Sequence, residues 1–380
     1  MQYRTFGKLD WKPAALGFGA MRLPTLNDDQ KQIDEPLATR MIRYAIDHGV
    51  NYVDTAYPYH GGVSESFVGR VLQDGYREKI KLATKLPCWL VKTSADFDRY
   101  LDEQLARLQT EHIDFYLLHA LGEKQWHIMR DMGVLDWAER ALGDGRIRHL
   151  GFSFHDTYTA FQEIVDAYDA WTFCQIQYNY MDIDYQAGTR GLKYAADKGL
   201  AVVVMEPLRG GQLAQTPPET VARLWATAAQ QRSPADWALQ WVWNQPEVSL
   251  LLSGMSAMQH VMENVASAER SAPGQLTEAD LALIGKVRAA YRSLSPIPCT
   301  DCKYCMPCSS GVNIPRIFEV YNSALMYGNL ESARAAYHWV GKEHQADQCI
   351  ECGECEEKCP QGISIIEWLK KAHVLLGTEA

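Results

Sequence analysis

No stretch of this 380-residue sequence approaches the ~20 consecutive apolar residues that a membrane-spanning helix needs. The N-terminal MQYRTFGKLDWKP carries no apolar signal region. Positive charge is also scarce. Lys and Arg number 37 against 47 Asp and Glu, the formal net charge is −10, and no basic stripe gathers. Nucleic acid is therefore not an expected partner, because a phosphate backbone calls for such a stripe. Low-complexity segments are missing, and so is any flavin motif. These absences lead to the expectation of a cytoplasmic chain that neither enters a membrane nor binds nucleic acid. The remainder, 47% hydrophobic and 22% charged, supplies ample apolar material for a core. The length is long for one domain and short for three.

Cysteine is present and unevenly placed. Eight of the ten cysteines fall in the last quarter, in two tight runs. Cys299, Cys302, Cys305 and Cys308 are each separated by two residues. Cys349, Cys352 and Cys355 repeat that spacing, Cys359 follows after three residues, and Pro360 comes next. The second run has the bacterial ferredoxin spacing for [4Fe–4S] ligation. Two-residue gaps let the backbone curl around one face of a cubane, so three thiolates reach three irons. The fourth ligand comes from the other run in two-cluster ferredoxins. This reading assigns Cys299, Cys302, Cys305 and Cys359 to one cluster, and Cys349, Cys352, Cys355 and Cys308 to the other. The first run departs at its end, where the last gap is two residues and Ser309 stands where proline is usual. Two zinc sites would also use eight thiolates, but zinc sites usually pair two CxxC halves. Disulfides would need an oxidising compartment.

Ahead of these runs, short apolar segments alternate with helical patterns. The strand candidates are Leu16–Met21, Tyr52–Thr55, Lys81–Lys85, Asp114–His119, His149–Ser153, Phe173–Tyr178, Leu200–Met205 and Val248–Ser253. Eight strand-then-helix units predict an α/β fold, a (β/α)₈ TIM barrel. An open doubly wound sheet is the rival, yet GFGAMRLP at 17–24 is not the G-x-G-x-x-G loop such a sheet usually carries. A hairpin around GKLDW is expected to cap one end. The barrel with its hairpin is placed at 1–293. A small, mainly helical ferredoxin-like domain is placed at 294–380, joined through the stiff Ser295–Pro298 segment. Cys88 and Cys174 read as buried structural cysteines. The tryptophans at 225, 237, 241 and 243 read as packing.

In such a barrel, chemistry sits where strands end. Strand two ends at Asp54, with Tyr59 five residues on. Strand three ends at Lys85 and strand four at His119. Four polar groups from three consecutive strand ends converge on one mouth. The stretches that carry them, GVNYVDTAYPYHGGVSE, KLATKLP and IDFYLLHA, resemble those of the aldo-keto reductases over about residues 1–290. With the cysteine tail, the chain resembles the iron–sulfur-bearing branch of that family, and CMPCSSGVNIPRIFEVYN is similar to that branch.

The resemblance implies NAD(P)H-dependent reduction of a small-molecule carbonyl, or the reverse alcohol oxidation, with Tyr59 as general acid. A tyrosine is a poor acid near neutrality because its pKa is ~10. A nearby ammonium lowers that value, so Lys85, held by Asp54, is expected to activate Tyr59. His119 is expected to orient the carbonyl oxygen. The family also implies nicotinamide contacts at Ser153, Gln175 and Met205. Phe154 stands where an asparagine is usual, and Met205 where an aromatic ring is usual. Nucleotide contacts are implied at Gly254, Ser256, His260, Glu263 and Asn264. Gly254 and His260 replace the basic residues that often hold a 2′-phosphate, which leans from NADPH towards NADH or leaves the choice open. A cubane moves one electron and a hydride two, so the tail serves an external electron carrier, a structural role or a sensing role. Two rival readings remain: a ferredoxin-fed reductase with a vestigial nicotinamide site, and a non-catalytic redox carrier or sensor.

Overall fold

The computed structural model describes residues 1–27, 29–299 and 302–378. They form two compact units, Met1–Gly210 with Ala235–Thr277, and Gly211–Pro234 with Glu278–Ala380.

The first unit contains eight strands: β1 Leu16–Gly19, β2 Tyr52–Asp54, β3 Lys81–Leu86, β4 Ile113–Leu121, β5 Ile147–Phe154, β6 Phe173–Gln177, β7 Ala201–Met205 and β8 Val248–Gly254. They pair in order and in parallel, and β1 closes on β8 to make a barrel. Runs such as AVVVM in β7 suit strands buried on both faces. The helices are α1 Glu35–Asp47, α2 Ser64–Val71, α3 Ala95–Leu108, α4 Glu123–Asp131, α5 Val134–Gly143, α6 Tyr158–Asp166, α7 Gly188–Asp197, α8 Glu219–Trp225, α9 Pro234–Trp243 and α10 Met258–Glu269. Of these, α8 belongs to the second unit.

Two of these ten helices, α4 and α8, are additions to the eight strand-then-helix units expected from the sequence. The α4 segment buries only Trp126 and Met129 and has no side-chain cap, so its periodicity is faint. The α8 segment is only seven residues long.

The N-terminal end of the barrel is plugged by aromatic rings. Phe6 and Trp11 come from the leading segment, where isolated bridges join Tyr3 to Ala14 and Phe6 to Leu9. Their ring centroids lie 4.8 and 5.4 Å from that of Phe115 on β4. Tyr52 and Phe173 contact the same ring at 5.4 and 5.2 Å. Replacing Phe115 with alanine is expected to cost about 3–5 kcal/mol, the range for deleting a buried Phe. A thermal melt reads this as a lowered midpoint. Tyr59 lies at the opposite end of the barrel, so nucleotide binding by the folded fraction should persist.

The second unit adds α11 Glu278–Ser293, α12 Ile314–Tyr327, α13 Leu330–His338, α14 Glu354–Glu357 and α15 Ile365–Leu376. Its core gathers Ile314, Ile317, Phe318, Tyr337, Leu369 and Leu376. Cys299, Cys305, Cys308, Cys349 and Cys359 pack against that core while half-buried. Ile297, between the two prolines, is buried. Asn322 accepts from its N–H at 3.1 Å and donates to its C=O at 2.8 Å. Among the described residues, no helix is long and apolar enough to cross a membrane.

Candidate active site and cysteine cavities

Strand register brings three of the four candidate catalytic groups to the C-terminal end of neighbouring strands. Asp54 is the last residue of β2, Lys85 is next to last in β3, and His119 lies near the end of β4. Tyr59 opens a single turn after β2. Lys85 is fully buried. The three hydrogens of its Nζ are shared among four acceptors: both Asp54 carboxylate oxygens and the Thr55 carbonyl at 2.8 Å each, and the Tyr59 hydroxyl oxygen at 3.4 Å. An ammonium has donors only, so the Tyr59 oxygen accepts. The phenolic hydrogen then points away from Lys85 and is free to be given elsewhere.

The electrostatics differ from the sequence expectation in one respect. Burial raises the Tyr59 pKa above its ordinary value, and the opposing pull of Lys85 does not cancel it. Burial lowers Lys85, but Asp54 and Tyr59 outweigh that and hold it above its ordinary value, so it stays charged. Burial drives His119 well below the usual imidazole range, with Lys85 and His155 adding to the effect. A neutral ring has one donor and one acceptor nitrogen. Its Nδ1 is buried with no hydrogen-bond partner in the protein. The His119 ring lies 6.2 Å from that of Tyr59 and 5.0 Å from that of Trp89.

A buried polar network behind the site was not read from the sequence. Gln104 on α3 donates to the Lys85 carbonyl at 3.0 Å and to Glu65 at 2.6 Å, and accepts from Tyr116 at 2.6 Å. Glu65 on α2 also accepts from Thr84 at 2.7 Å and from Arg107 at 3.2 Å. A carboxylate buried at 0% exposure needs such partners. The network pins the end of β3, and with it Lys85. Thr55 was missed for a plain reason: it contributes its backbone carbonyl, which no side-chain pattern announces.

The residues assigned to the nicotinamide lie on the same face. Ser153 Oγ accepts from the Ala120 N–H at 2.8 Å, holding the residue after His119 in a left-handed conformation at φ 55°. Gln175 Nε2 donates to Met205 Sδ at 3.5 Å, while its Oε1 is a buried acceptor with no partner. An unpaired buried amide oxygen fits the N–H groups of a carboxamide. Phe154 packs on Phe161 of α6 at 5.1 Å. Of the remaining set, Asn264 is buried and donates to Ser253 Oγ at 3.0 Å. Gly254, Ser256, His260 and Glu263 are exposed at the end of β8 and along α10. Arg22, after β1, packs its side chain against Gly254, where an added Cβ would meet it at 3.2 Å. It also pairs with Glu206 at 3.4 Å. A cation therefore stands beside the position where the sequence lacks one.

Among the described residues of the second unit, none of the eight tail cysteines is in a disulfide. Cys299, Cys302, Cys305 and Cys359 line one cavity of about 340 Å³. Cys308, Cys349, Cys352 and Cys355 line another of about 390 Å³, whose wall Cys305 also touches. Among the described residues, no three ligating side chains converge as a site for a single metal ion. The thiols ring cavities instead.

The Aldo/keto reductase family model matches residues 15–288, and a 4Fe-4S dicluster domain matches residues 298–363. L-galactose dehydrogenase of Arabidopsis thaliana is 28% identical over 295 residues, which cover 70% of this chain and 88% of that protein. Methylglyoxal reductase YeaE of Escherichia coli is 26% identical over 288 residues, covering 72% and 93%. Among solved structures, the holo form of aldo-keto reductase AKR11C1 from Bacillus halodurans superposes with a TM-score of 0.62 at 27% identity, covering 76% of this chain and 96% of that one.

Proposed function

We propose, from the premise that this chain belongs to the aldo/keto reductase family, that it reduces the carbonyl of a small molecule with Tyr59 as the acid. One observation carries the reading: the Lys85 ammonium, held by Asp54 and Thr55, also donates to the Tyr59 oxygen and leaves the phenolic hydrogen to a substrate. NADPH or NADH supplies the hydride when bound. Gln175 Oε1 would receive the carboxamide N–H, with Ser153 and Met205 beside it. Gly254, Ser256, His260, Glu263 and Asn264 would hold the adenosine end. Arg22 offers the phosphates a cation. Neutral His119 donates to the carbonyl oxygen and sets its direction towards Tyr59. The relative named a methylglyoxal reductase makes methylglyoxal the first substrate to try.

The eight tail thiols would hold two [4Fe–4S] clusters, which supply one-electron transfer when bound. Two cavities, one lined by four thiols and the other by four with Cys305 at its wall, suit cubanes better than a single zinc held at ~2.3 Å by its sulfurs. We place an external one-electron carrier as the partner of that module.

Anaerobically purified protein should bind NADPH or NADH by fluorescence titration and consume it when methylglyoxal or another small carbonyl is added. Absence of binding to either nucleotide overturns the reading. In the same titration Gln175→Ala should weaken binding about tenfold, the worth of one hydrogen bond of ~1.4 kcal/mol. An unchanged dissociation constant would remove Gln175 from the contact set.

A further inference from the structure

The two cysteine cavities differ in the hydroxyl side chains among their described lining residues. Around the cavity of Cys308, Cys349, Cys352 and Cys355, Ser310 Oγ lies 3.3 Å from Cys308 Sγ, and Ser309 Oγ lies 3.8 Å from Cys352 Sγ. Backbone N–H groups of Ser310, Gly311 and Val312 also donate to Cys308. A thiolate ligand has no hydrogen to give, so in each serine contact the hydroxyl must donate. The other cavity is walled mainly by Ile314, Pro315, Phe318, Pro360, Ile363 and Ile365, with the Gln361 amide also at its edge, and no hydroxyl side chain appears among its described lining residues.

Thiol exposure and lysine count do not separate the two. One cysteine of each set is exposed, Cys302 and Cys352. One lysine lines each cavity, Lys303 and Lys358. Glu354 and Glu356 add negative charge near the serine-lined cavity; Glu354 pairs with Lys358 at 3.6 Å and Glu356 accepts from the Ile366 N–H at 2.8 Å. Glu351 pairs with Lys370 at 2.8 Å.

A reduced cubane carries one more negative charge than an oxidised one. Donors aimed at its sulfurs stabilise the reduced form more and raise the potential. We infer that the cluster held by Cys308, Cys349, Cys352 and Cys355 has the higher potential and takes the first electron, with Ser309 and Ser310 setting that order. The inference rests on the two-cluster reading above. It makes the serine-lined cavity the resting place of a single electron in the module.

The test is a redox titration of anaerobic full-length protein with a chemical reductant, followed by EPR, with iron and sulfide counted on the same sample. Two one-electron steps are expected. Ser309→Ala and Ser310→Ala should each shift the upper step to lower potential and leave the lower step in place. Ser310→Thr, which keeps the hydroxyl, should restore the upper step. With about eight irons per chain, movement of the lower step, of both steps equally, or of neither overturns this inference alone. A count near four irons would overturn the two-cluster reading and this inference together.

Discussion

Tyr59→Phe is expected to abolish carbonyl reduction while leaving nucleotide affinity unchanged. The substitution removes one oxygen from a buried ring and keeps its shape. It deletes a group that bears a transferable proton and is positioned by a donor-only cation. General acid catalysis contributes ~10²–10⁴-fold, so kcat should fall by about that factor with the nucleotide dissociation constant within error of the parent. The pH profile supplies an independent check. Burial raises the Tyr59 pKa above its ordinary value of ~10. The competent species in reduction is the protonated phenol, populated below that pKa and lost as pH rises through it. Through the neutral range the rate of reduction should therefore stay flat where Tyr59 is concerned, and its alkaline limb should vanish in Tyr59→Phe. Retained turnover in that variant would transfer the acid role to another group, and His119 would be the next to test.

The barrel was legible because parallel strands buried on both faces announce themselves as short apolar runs, and glycines such as Gly49 punctuate the helices between them. The strand candidates and the observed strands differ by one or two residues at their ends. The site was legible for a related reason: strand ends in a barrel share one mouth, so Asp54, Lys85 and His119 could be placed together without coordinates. What escaped is what depends on distance across elements. Glu65, Gln104 and Arg107 come from two helices and read in sequence as ordinary polar positions. Only packing shows that they meet behind Lys85. Arg22 sits in a loop after β1 and Gly254 at the end of β8, and their contact follows from closure of the barrel by β1 and β8. The balance at Tyr59 escaped as well. Spacing reveals the ammonium that lowers its pKa, while the burial that raises it is a property of the folded surroundings.

Cys359→Ala should remove the cluster of Cys299, Cys302 and Cys305, although Cys359 belongs to the other run. The cavities make the reason concrete. Cys359 lines the first cavity with those three thiols, and Cys308 lines the second with Cys349, Cys352 and Cys355. A cubane left with three thiolates is short of one iron ligand, so the iron count should fall from about eight to about four. A count alone does not say which cluster has gone, and here the serine contacts discriminate. In the Cys359→Ala background the surviving step should still respond to Ser310→Ala, because the serine-lined cluster remains. In Cys308→Ala that step is the one lost, and Ser310→Ala should then have nothing left to shift. Ligation run by run requires the reverse: Cys359→Ala would strip the cluster of Cys349, Cys352 and Cys355. The neighbouring chain should register the loss too. Pro360, Ile363 and Ile365 line the same cavity as Cys359 and lead into α15, which packs on α12. Losing the metal that ties Cys359 to the first run should therefore raise hydrogen exchange at the start of α15 before it does so in the barrel strands.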